Sequence, residues 1–92
     1  MATADVWKKI NAIQDKYEFK KRSEGFNNSF HNNSPGWIYL DHEGLTITFT
    51  ISTITGTPYS IDFMGQKLKN KFYHSVHTIE EAETYLTELY GK

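Results

Sequence analysis

The chain contains no cysteine, which excludes a disulfide framework, a thiolate metal site and a cysteine nucleophile together and suits a reducing, cytoplasmic setting. Neither sign of charge dominates. Ten basic against eleven acidic side chains leave a formal net charge of -1, so no global attraction draws the chain to nucleic acid or to an anionic membrane. No stretch approaches about 18 apolar residues, and the N-terminus lacks an apolar signal region; the expectation is a chain that neither spans a membrane nor carries a signal peptide. There is no solenoid-length repeat and no low-complexity tract. Gly65-Gln66-Lys67 lacks the flanking glycine and hydroxyl residue of a phosphate-binding loop, and no G-x-S-x-G nucleophile elbow occurs.

What is present is aromatic: two tryptophans, six tyrosines and six phenylalanines in 92 residues, within a composition that is 38% hydrophobic and 23% charged. That describes one folded domain over residues 1–92 with a net stability of about 5 to 10 kcal/mol. Val6, Ile10, Ile13 and Tyr17 recur at helical spacing and predict a first helix over 4–17, with Thr3 as its cap and Trp7 at the edge of the stripe. Thr78-Ile79-Glu80-Glu81 is a capping box opening a second helix, whose apolar stripe is Ile79, Ala82, Leu86 and Leu89 and which Gly91 closes.

Between the helices the apolar period changes to two. Leu45, Ile47, Phe49 and Ile51 alternate with Thr46, Thr48, Thr50 and Ser52, a strand with one dry and one wet face. Trp37–Leu40 predicts a strand before it, joined by a turn at Asp41-His42-Glu43-Gly44, and Tyr59–Phe63 a strand after it. Residues 24–36 are dense in Asn, Ser and Gly and read as a long polar loop. Residues 66–71 read as a basic connection. The expected fold is therefore a two-layer α+β sandwich of order α-β-β-β-α, with an antiparallel sheet of three strands, or four if residues 18–23 pair, and both helices on one face. That order is similar to the double-stranded RNA-binding domain. The likeness stops at topology, because such domains present lysines at the start of the second helix, where this chain has Glu80, Glu81 and Glu83.

No constellation of catalytic residues stands out. Asp41, His42 and Glu43 share a tight turn, where neighbouring side chains splay apart, and the reading is of a non-enzymatic protein without a cofactor. His74 and His77 have an H-x-x-H spacing, which on a strand points the rings to opposite faces, with no third ligand at a diagnostic interval; no metal site is expected. The aromatics exceed what a small core hides, Tyr73, Tyr85 and Tyr90 among them. Phe26, Phe30, Trp37 and Tyr39, set among Asn and Ser, resemble the composition of a protein-binding patch. The expected role is a protein-interaction module, such as an inhibitor or accessory subunit of phage or immunity type. The alternative is a nucleic-acid-binding domain using Lys16, Lys20, Lys21 and Arg22 with Lys67, Lys69 and Lys71. A homodimer joined through edge strands is compatible with the first role.

Overall fold

The computed structural model describes residues 4–26, 36–52, 57–68 and 72–91, with the backbone alone for Ala4, residues 23–26 and Gly36. The elements are α1 (Ala4–Tyr17), β1 (Lys20–Phe26), β2 (Gly36–His42), β3 (Leu45–Ile51), β4 (Pro58–Met64), β5 (Tyr73–Val76) and α2 (Ile79–Tyr90). The strands form one antiparallel sheet whose spatial order is the chain order, β1-β2-β3-β4-β5. The α+β class and the flanking helices are as the periodicity predicts. The sheet has five strands, not three or four.

Both extra strands lie at the edges. Lys20–Phe26 pairs with β2 through Glu24↔Ile38, Gly25↔Trp37 and Phe26↔Gly36, so the expected loop over 24–36 gives up both its ends to the ladder; residues 27–35 lie outside the described residues, as does Thr3. An edge strand pairs on one side only and needs little apolar alternation, which is why its polar sequence conceals it. Residues 73–76 form the opposite edge by pairing with β4. With five strands, the likeness in element order to the double-stranded RNA-binding domain no longer holds.

Antiparallel partners share a face of the sheet, so the register sorts the side chains. Leu40, Ile47, Phe63 and His74 stand in one row, and Ile38, Phe49, Ile61 and Val76 in the next. These rows meet Val6, Ile10, Ile13 and Tyr17 of α1 and Ile79, Ala82 and Leu86 of α2 in one buried cluster, with Trp7, Tyr85 and Leu89 packed at its margin. Each fully buried aliphatic or phenyl side chain contributes about 1.5–3 kcal/mol.

The local stops are specific. α1 ends where Glu18 turns left-handed at φ 62 and the Phe19 N–H donates to the Gln14 carbonyl at 2.9 Å, a Schellman closure that brings the chain back onto the sheet. The turn between β2 and β3 is tighter than the four residues expected: His42 pairs with Leu45, leaving Glu43 and Gly44, both at positive φ, as a two-residue hairpin loop. At α2 the capping box is complete, and Gly91 at φ 74 donates its N–H to the Thr87 carbonyl.

Candidate docking surface

With both helices on one side, the other face of the sheet lacks a covering layer among the described residues. Its rows follow from the same register: Asp41, Thr46, Met64 and Tyr73; Tyr39, Thr48, Asp62 and Ser75; Trp37, Thr50 and Ser60. Trp37 is 38% exposed, Met64 50% and Tyr73 53%, while Tyr39 and the threonines are half-buried.

The polar groups on this face are tied to one another. The register slips between Lys21 and Ser23, and the bulge puts Arg22 beside β2. There its guanidinium lies 5.0 Å from the Tyr39 ring centroid and its Nε 3.2 Å from Asp41 Oδ2. The other Asp41 oxygen accepts from the Thr46 hydroxyl at 2.7 Å. Three strands are thus laced through one carboxylate. Farther along, Asp62 Oδ1 accepts from the Tyr73 hydroxyl at 2.5 Å and Oδ2 from the Ser60 hydroxyl at 3.2 Å. The Asp62 carboxylate bonds the neutral phenol and so raises the Tyr73 pKa above its ordinary 10.0. The ties to Tyr39 and Tyr73 hold those two rings in fixed positions, which lowers the entropy lost when a partner covers them.

The four residues expected to bind protein are not all brought into view. Trp37 and Tyr39 lie on this face. Phe26 ends β1 opposite Gly36, at the Trp37 end of the sheet; its side chain and the whole of Phe30 lie outside the described residues. Arg22, which composition groups with the lysines, belongs to the same face. Met64 and Asp62 carry no sequence signal beyond their place in an alternating strand.

Two of the basic residues come together at the helix ends. Lys16 Nζ lies 5.3 Å from the ring centroid of Tyr17, and Lys67 Nζ 4.4 Å from that of Tyr90. Those two rings are 5.1 Å apart, with Phe19 and His42 beside Tyr90. Both ammonium groups therefore sit where the two helices end, where cations suit the helix dipole, and each ring contact contributes about 0.5–1 kcal/mol. Lys20 and Lys21 run along the β1 edge opposite Asp41 and Leu40. Lys69 and Lys71 lie outside the described residues.

His74 and His77 are separately engaged. The His74 ring stacks on Tyr85 at 3.9 Å, and His77 Nδ1 lies 3.2 Å from the Tyr59 carbonyl oxygen. Among the described residues no three His, Asp or Glu side chains are placed to hold a metal ion, and no helix is long and apolar enough to cross a membrane. Comparison with protein-family models, with curated proteins and with solved structures finds no match to this chain.

Proposed function

We propose that this chain is a non-enzymatic, cytoplasmic docking module that acts by binding another protein, as an inhibitor or accessory subunit does. The observation that carries the reading is Trp37, 38% exposed, next to Tyr39 on a sheet face that no helix covers among the described residues. Large aromatics with a polar handle, rimmed by hydroxyl side chains, are what the centre of a protein interface is made of.

The test is affinity capture from source cells with the wild-type chain and with Trp37→Ser plus Tyr39→Ser. One protein retained stoichiometrically at high salt and after nuclease, and lost from the double variant while stability falls by less than about 1 kcal/mol, is the expected result. Recovery of nucleic acid, with binding that falls steeply as salt rises, overturns it.

A further inference from the structure

The sheet ends at β5, and no described strand pairs with its outer edge. Between that edge and α2 runs an open groove of about 550 Å³, lined by His74, Val76, Glu80, Thr84, Tyr85 and Glu88. Its floor is aromatic: the His74 ring lies on the Tyr85 ring at an interplanar angle of 17°, and Tyr85 stands edge-on to Phe63 at 4.9 Å. Its wall is one flank of α2, where residues 80, 84 and 88 recur four apart. Glu80, Glu81 and Glu88, all lining the groove, make that wall acidic. Lys9, 3.3 Å from Glu80, offsets one of these charges. At the start of β5, Phe72 is 85% and Tyr73 53% exposed.

We propose that the β5 edge accepts an extended, cationic segment of a partner protein as a sixth strand. Free N–H and C=O groups along a strand edge supply backbone pairing to any extended chain, and pockets beside the edge select its side chains. A strand presents every second side chain to one face, so alternate residues of the incoming segment point into the groove beside α2. Lysine or arginine at those positions meets Glu80 and Glu88 with its charge, and lays its methylene stem on the His74–Tyr85 stack. The intervening residues extend the outer rows that end at Tyr73 and Ser75. This surface is three strands away from Trp37 and goes beyond the sheet-face reading; either can fail without the other.

The experiment is an amide NMR titration of the whole chain with a short capped peptide of alternating lysine and threonine. A block peptide of the same composition, with all lysines first, is the control. Shifts and slowed hydrogen exchange confined to Tyr73–Val76 and to the Thr84–Glu88 flank are expected. The block peptide should bind about tenfold more weakly. Glu88→Lys should weaken the alternating peptide roughly three- to tenfold at low salt, and Glu88→Gln by less; two exposed substitutions guard against a folding defect in one. Trp37→Ser plus Tyr39→Ser should leave the titration unchanged. Equal binding of the two peptides, shifts away from β5, or no shifts at all would overturn the proposal.

Discussion

Gly65 lies so close to Gly44 that a methyl group on it would overlap the Gly44 carbonyl oxygen and come within 2.9 Å of the carbonyl carbon. The turn after β4 is pressed against the β2–β3 turn, and the Lys67 N–H donates to that same carbonyl at 3.1 Å. Gly65 also has φ +127, a conformation L side chains rarely adopt. Gly65→Ala should therefore cost about 3 kcal/mol, since neither backbone can yield cheaply. Gly91→Ala, also at positive φ but with open space around it, should cost only about 1 kcal/mol. Urea denaturation of the two variants beside the wild type measures the difference.

The capping box at α2 makes stability depend on acid. Glu81 Oε1 accepts from the N–H groups of His77 at 3.2 Å and Thr78 at 3.1 Å, and the His77 bond foremost holds the carboxyl below its ordinary 4.5. A carboxyl with a depressed folded pKa contributes stability above its unfolded value, and that contribution is lost as pH falls through the lower folded value. Glu81→Gln should flatten the fall of the thermal midpoint between about pH 5 and about pH 3. Thr78→Ala, which removes the hydroxyl that accepts from the Glu81 N–H, should cost about 1 kcal/mol at neutral pH.

Phe49 is fully buried between Ile38 and Ile61 on the neighbouring strands. Phe49→Ala should cost about 3–5 kcal/mol, a large share of the whole stability of so small a domain. Ile47→Val, a smaller loss in the adjacent row, should cost about 1 kcal/mol. Chemical denaturation checks both; equal losses would place the densest packing elsewhere.

The phenol of Tyr73 should ionise late. Its hydrogen bond to Asp62 exists only while the phenol is protonated, so the folded pKa is raised, and that stabilisation is present below 10.0 and disappears as pH climbs through the folded value. Asp62→Asn should move one tyrosine back toward its ordinary pKa in an ultraviolet titration. Comparison with Tyr73→Phe assigns that transition, because Tyr85 and Tyr90 are also raised, by burial first.

Much of the fold was legible where a local rule decides it. The four-three-four spacing of Val6, Ile10, Ile13 and Tyr17 in α1, the Thr78–Glu81 box and the alternation of β3 each carry their own signature. β1 and β5 carry none: Lys20–Phe26 is nearly all polar because an edge strand with a bulge is held by backbone pairing, and Tyr73–Val76 is too short to show a period. The site was legible only in part. Trp37 and Tyr39 announce themselves as surplus aromatics. The pairing of Arg22 with Asp41, and of Lys67 with Tyr90, joins residues distant along the chain, and no local spacing encodes it.

The order of the strands in space repeats their order in the chain, so every sheet pairing is made between consecutive segments and no long crossover has to form before pairing begins. Hairpins can then assemble one after another at small entropic cost, which places this domain toward the faster end for a mixed α/β domain of its size. The two helices meet across a far longer span of chain, where Lys9 and Glu80 come together from 71 residues apart, and that contact carries the larger loop-closure cost.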